Sequence, residues 1–311
     1  MAENKGLAES RAFFREKGLA LFREKFPEIF PRLAFGLAGH GSECYGFDDE
    51  ISRDHDFTRG FAVWLTDADE EKYGFHLMRA YQALLKESGA AVQGKSSALG
   101  ESEHGICRIS TFFERHTGLD RAPETWQEWF YTPGYAFAEA VNGEVFLDGP
   151  GLFSAIRQKI CHGMPEDVRL KKIASRTALM AQTGQYNYPR SLRRKEEGAA
   201  MLALGEFVKN CGELLFLLSG VHAPYYKWFF RAMRSLPDLG ELAYPLEFLL
   251  CDPGEKMEKT EMIGDICHRV RQELRQRGFS QAEDEYLESH AFEVMKKIRT
   301  PEIRALHVME G

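Results

Sequence analysis

Asp54 and Asp56 stand two apart in the stretch GHGSECYGFDDEISRDHDF (39–57). On an extended chain residues i and i+2 share a face, so the two carboxylates project together and His55 points away. Carboxylates held that close repel unless a cation lies between them. A hard, oxygen-seeking ion suits the gap: Mg²⁺, or Mn²⁺ in its place. Mg²⁺ typically takes one or two carboxylates and completes its shell with substrate phosphates. Upstream, Gly41 lets backbone N–H groups approach an anion, and the Ser42 hydroxyl can bond a phosphate oxygen. Eleven residues separate Ser42 from Asp54. A phosphate cradle beside a metal pair supplies the parts for phosphoryl-type transfer. Asp-x-Asp alone is common in solvated turns. The order strand, Gly-Ser, loop, Asp-x-Asp, strand is much less so.

The elements that must position these groups follow from periodicity. Leu7, Phe13, Phe14, Leu21 and Phe22 predict a helix over 7–25. RLAFGLAG (32–39) predicts a buried strand entering a tight turn, and Phe57, Phe61, Val63 and Leu65 alternate as a second strand. Residues 70–88 read as a helix, GICRISTFF (105–113) as a third strand, and GEVFLDG (143–149) as a fourth. After about residue 165 the patterns are helical. PEDVRLKKIASRTALMAQ opens with a proline and two acids, and EEGAAMLALGEFVKNCGELLFLLSG (196–220) repeats apolar residues at 201, 204, 208, 211, 215 and 218 as a helix that Gly220 can stop. APYYKWFFRAM gives a shorter aromatic helix, and 256–277 and 280–299 are two charged amphipathic helices. The fold class is α+β: a strand-bearing half, then a helical half, with the seam near residue 160.

Two basic groups in the helical half can serve an anion. Arg190, Arg193 and Arg194 share one helical face, either as a triphosphate clamp or as a solvated face. Lys227, set among Tyr225, Tyr226 and Trp228, either neutralises a phosphate or packs within an aromatic cluster. Asp48-Asp49-Glu50 reads first as loop-shaping, with Glu43 and Asp49 near enough to line a pocket.

The spacing from Gly41-Ser42 to Asp54-His55-Asp56-Phe57 resembles the signature of the nucleotidyltransferase (DNA polymerase β-like) superfamily. Longer stretches resemble one branch of it, the DUF4037 family. They are GSECYGFDDEISRDHDF, GEVFLDGPGLFSAIRQKI, PEDVRLKKIA and APYYKWFFRAM, spread over roughly residues 35–235. The resemblance implies a nucleotidyltransferase-like mixed-sheet core over 1–160 and an all-α helical bundle over 161–311, a layout similar to aminoglycoside nucleotidyltransferases. It further implies transfer of NMP, AMP foremost, from Mg·NTP to the hydroxyl of a small-molecule acceptor. Asp54 and Asp56 would hold Mg²⁺ and carry catalysis, with Gly41 and Ser42 on the β- and γ-phosphates. Arg190, Arg194 and Lys227 are further nucleotide-binding candidates. The superfamily usually adds a third carboxylate on a later strand. The same-face positions of the third strand here are Ile106, Arg108 and Ser110, with no acid among them. Glu114, Glu139 and Asp148 are substitutes, Asp148 equally a helix cap; the resemblance equally allows the base to come from the helical half, as in the kanamycin enzyme. The missing acid leaves a second reading open, a regulatory protein that binds nucleotide with weak or no turnover. Pairing with a toxin–antitoxin partner is a third, weakened because the helical half is already in the chain.

The bulk composition fits. The chain has 311 residues, net charge −7, 44% hydrophobic and 28% charged residues, enough for one large or two ordinary domains. Net acidity argues against non-specific nucleic-acid binding. The six cysteines are scattered without a C-x-x-C pair, so free thiols in a reducing cytoplasm are expected. Neither a secretory signal nor an apolar run long enough to span a membrane is evident. Oligomeric state is not legible.

Overall fold

A computed structural model describes residues 5–49, 60–89, 103–252 and 256–311. The chain forms two compact units that interleave in sequence. The first takes Met1–Pro123 and Ala136–Gly163, the second Glu124–Tyr135 and Met164–Gly311. The architecture is α+β, with one small mixed sheet and many helices.

The first unit opens with α1 (Lys5–Phe13) and α2 (Leu19–Lys25), joined by a π-helical turn at Phe14–Gly18. The chain then passes through β1 (Ala34–Leu37), α3 (Ser42–Tyr45), β2 (Ala62–Leu65) and α4 (Asp67–Glu87). It continues with β3 (Gly105–Arg108) and α5 (Ile109–Thr117). Next come α6 (Trp126–Tyr131), which belongs to the second unit, and α7 (Gly134–Val141), whose residues from Ala136 on return to the first. β4 (Glu144–Asp148) and α8 (Leu152–His162) close the unit.

The sheet order is β3-β2-β1-β4; β1 runs antiparallel to both neighbours and β2 is parallel to β3. Both faces are covered, so β1 and β2 are apolar throughout rather than alternating. One face carries Phe35, Phe61, Val63 and Leu65 against Phe14, Phe22, Leu77 and Leu84. On the other, Trp64 stacks on Phe153 at 3.9 Å and meets Phe112 edge-on. Gly36 lies at a register shift between β1 and β4, where a Cβ would press on the Glu144 carbonyl and the Trp64 ring. The close approach of three strands there depends on its missing side chain.

Two sequence expectations need correction. The strand expected over 105–113 ends at Arg108, and residues 109–117 are α5. Ile109, Phe112 and Phe113 are buried at i, i+3 and i+4, a helical face that the β-branched and aromatic composition disguised. Ser110 is therefore not on the strand face with Ile106 and Arg108. The helix expected over 280–299 is α15 (Leu287–Lys296). Ahead of it, Ser280 and Asp284 accept hydrogen bonds from the Ala282 and Tyr286 amides at 3.1 and 2.9 Å, local bonds that compete with helix.

In the second unit α9 (Glu166–Met180) runs through a π-helical turn at Ala181–Asn187 into α10 (Tyr188–Arg193). α11 (Glu197–Leu218), α12 (Phe229–Met233), α13 (Ala243–Cys251), α14 (Lys256–Gln276), α15 and α16 (Pro301–Arg304) follow. α9 packs against α11 and α15. Its Lys171 is fully buried and donates to the carbonyls of Val308 and Glu310, while Ser175 donates to the Met309 carbonyl at 2.9 Å. Among the described residues no helix is long and apolar enough to cross a membrane.

Candidate functional site

The candidate site lies where β1 leaves the sheet. β1 ends at Leu37, and Gly39-His40-Gly41 turn the chain into α3, with Ser42 its first helical residue. The turn is clamped from the segment before β4. Asn142 accepts from the Gly39 amide at 2.9 Å and donates to the Gly39 carbonyl, and the Gly143 amide donates to the Cys44 carbonyl at 2.8 Å. Gly39 has φ +130°, in the region that favours glycine, and a Cβ there would collide with the Glu103 carboxylate. The turn is thus shaped to let that carboxylate reach its backbone. The Ser42 hydroxyl faces the Glu43 carboxylate at 3.4 Å, which packs beside Gly41. Burial raises the Glu43 carboxyl against the pull of its own backbone N–H and Ser42. Asp54, His55 and Asp56 lie outside the described residues.

Glu103, just ahead of β3, organises a chain in which carboxylates and imidazoles alternate. Its Oε1 stands 2.6 Å from Nδ1 of His40 and 3.6 Å from Nε2 of His116 on α5. On the far side of His116, Nδ1 is 3.5 Å from Glu139 on α7. Exposure falls steeply from His40 inward: its side chain is 51% exposed, Glu103 6% and His116 3%. Burial alone would raise the Glu103 carboxyl, but the two imidazoles beside it, His116 and the hydrogen-bonded His40, outweigh it and hold it at about 2. Burial would likewise lower His116, yet the two carboxylates around it hold it up at about 9, an imidazolium at neutral pH. His40 is raised above its ordinary value, chiefly by its bond to Glu103. Neighbouring His104 is pushed down to about 4 by burial. Glu103 also borders a cavity of about 250 Å³ lined by Trp64, His104, Cys107, Arg108 and Phe112.

The other expected residues are placed as follows. Asp148 ends β4 and accepts from the Gly151 and Ser154 amides at 2.9 and 2.8 Å, which ties the end of the strand to the first turn of α8, whose N-cap is Gly151. Glu114 is exposed on α5. Asp48 accepts from the Gly6 amide at 3.0 Å, a loop-shaping bond. In the second unit Arg190 lies over the Tyr186 ring and donates to its hydroxyl, and Arg193 and Arg194 lie at the end of α10. Lys227 is exposed, with Nζ 4.8 Å from the Trp228 ring centre. Among the described residues no group of three or more His, Cys, Asp or Glu is arranged to hold a metal ion. All six cysteines are free thiols.

Sequence reasoning did not single out His40, Glu103, His116 or Asn142. The one visible signal was His40 between two glycines. Glu103 and His116 meet only through the fold.

Residues 129–229 match the family model described as Domain of unknown function (DUF4037). That match confirms the family resemblance over this stretch. No curated protein and no solved structure matches the chain.

Proposed function

We propose that the protein is a Mg²⁺-dependent nucleotidyltransferase that moves NMP, AMP foremost, from an NTP to a hydroxyl of a small-molecule acceptor. The observation that carries this reading is the Gly39–Ser42 turn, which leaves a central strand, is clamped by Asn142, and precedes Asp54-His55-Asp56 at the superfamily's interval. Asp54 and Asp56 would hold the metal, whose charge offsets that of the triphosphate and of the departing pyrophosphate. Gly41 and Ser42 would contact the phosphates, with Glu43 swinging aside. Arg190, Arg194 and Lys227 are the remaining candidates for phosphate contacts. The test is incubation with α-labelled NTPs, Mg²⁺ and hydroxyl acceptors, comparing wild type with Asp54→Ala. Label transfer that the substitution abolishes supports the reading. Nucleotide binding without transfer or pyrophosphate release would favour a regulatory nucleotide-binding protein on the same fold.

A further inference from the structure

Resting on that nucleotidyltransferase reading, we infer that His40 is the general base that takes the acceptor's hydroxyl proton, with Glu103 as its positioning residue. A base needs an accessible lone pair, a fixed ring and a proton affinity matched to neutral pH. His40 is half-exposed, and its Nδ1 is fixed 2.6 Å from a carboxylate that is itself almost fully buried. With Nδ1 as donor, the lone pair resides on Nε2, which makes no hydrogen bond to the described residues. His40 immediately precedes Gly41-Ser42, so the base stands beside the proposed phosphate contacts.

Two of the nearby carboxylates are poorer bases. Glu103 is held at about 2 between two histidines, and Glu139 lies behind His116. The charged groups facing His40 are Glu103, Glu139 on α7, His116 on α5 and Glu43 on α3. In the step, the hydroxyl proton passes to Nε2 of His40 as the oxygen bonds to the α-phosphorus. The bond from that phosphorus to the bridging oxygen breaks, and pyrophosphate leaves with the electron pair. The proton then passes from His40 to water.

The test compares wild type, Asp54→Ala, His40→Ala, His40→Gln and Glu103→Gln. Label transfer is followed from α-labelled ATP with Mg²⁺ to an aminoglycoside, a nucleoside and a serine peptide, across pH 5–9. Histidine NMR titration of His40 runs in parallel. The expected kcat for both His40 variants is ~10²–10⁴-fold lower, without the wild-type rise with pH. Imidazole added to His40→Ala should restore part of the rate. Glu103→Gln keeps an acceptor for Nδ1–H but removes the charge, so the pH limb and the NMR midpoint of His40 should move together to lower pH. If Asp54→Ala abolishes transfer while both His40 variants keep the wild-type kcat and pH profile, the base assignment is overturned and the nucleotidyltransferase reading stands. If wild type transfers no label, both fall. If His40 titrates identically in wild type and Glu103→Gln, the positioning role of Glu103 is overturned whatever the activity.

Discussion

Asn142 holds Gly39 from both sides, accepting from its amide at 2.9 Å and donating to its carbonyl. One side-chain amide therefore stands in for a strand partner where β1 has already ended. Only a group with both a donor and an acceptor can do this. Asn142→Ala leaves both Gly39 groups without their partner and should cost ~1–3 kcal/mol in urea unfolding. Asn142→Asp keeps an acceptor, loses the donor and sets a negative charge beside the turn. Nucleotide affinity measured by calorimetry should fall further in the Asn142→Asp variant than its loss of stability alone explains. Equal affinity in wild type and that variant would remove the turn from the binding site.

The Glu103–His116 pair makes stability depend on pH in two directions. His116 is raised in the folded state to about 9, so its contribution is complete below about 6.5 and is lost as pH rises through 9. Glu103 is lowered to about 2, so its contribution is complete above about 4.5 and is lost as pH falls towards 2. The two shifts share the Glu103–His116 contact, which is counted once. Unfolding free energy should form a plateau near pH 4.5–6.5 and fall on the alkaline side by up to ~3 kcal/mol. His116→Gln should lower the plateau and flatten the alkaline slope. An unchanged slope in that variant would show that His116 is not charged in the fold.

Asp148 separates a structural acid from a chemical one. Its two oxygens accept from the Gly151 and Ser154 amides, so Asp148→Ala should cost ~0.5–2 kcal/mol of stability through loss of this tie to the first turn of α8. Its kcat below the melting range should match wild type. A kcat loss as large as that of Asp54→Ala would restore Asp148 as a catalytic acid.

Gly36 tests the sheet. A methyl group there meets the Glu144 carbonyl and the Trp64 ring, neither a flexible chain end. Gly36→Ala should cost ~1–3 kcal/mol by thermal unfolding, as overpacking in a close-packed interior does. A melting temperature equal to wild type would mean that β4 can shift away freely.

Much of the fold could be read from the chain. Phe61, Val63 and Leu65 share one face of the sheet at the two-residue spacing of a strand, and the residues of α11 repeat as a helix does. Where local chemistry pointed two ways, the reading failed. Ile109 to Phe113 has strand composition, but three of its apolar side chains share a helical face, and tertiary burial decided the matter. The Gly-Ser turn was legible because a glycine and a serine after an apolar run are adjacent in sequence. The His40–Glu103–His116–Glu139 chain was not. Its members come from four separate segments, and nothing in the spacing of residues 40, 103, 116 and 139 brings them together. Asn142 was equally hidden, since its partner lies 103 positions away.

Lys171 has a consequence for how the protein is made. Its ammonium is buried on α9, yet its carbonyl partners come from Val308 and Glu310, and Phe130 of α6 lies 5.6 Å from it. A growing polypeptide emerging from the ribosome presents α6 before the last strand of the other unit, then α9, and the residues that satisfy this charge only 137 and 139 positions after Lys171. Until then α9 must keep Lys171 in water or bear an unpartnered cation in its interior. The helical unit therefore cannot close vectorially. A fragment cut at the unit boundary, residues 164–311, would carry the lysine and its carbonyls but lack the aromatic wall supplied from 124–135.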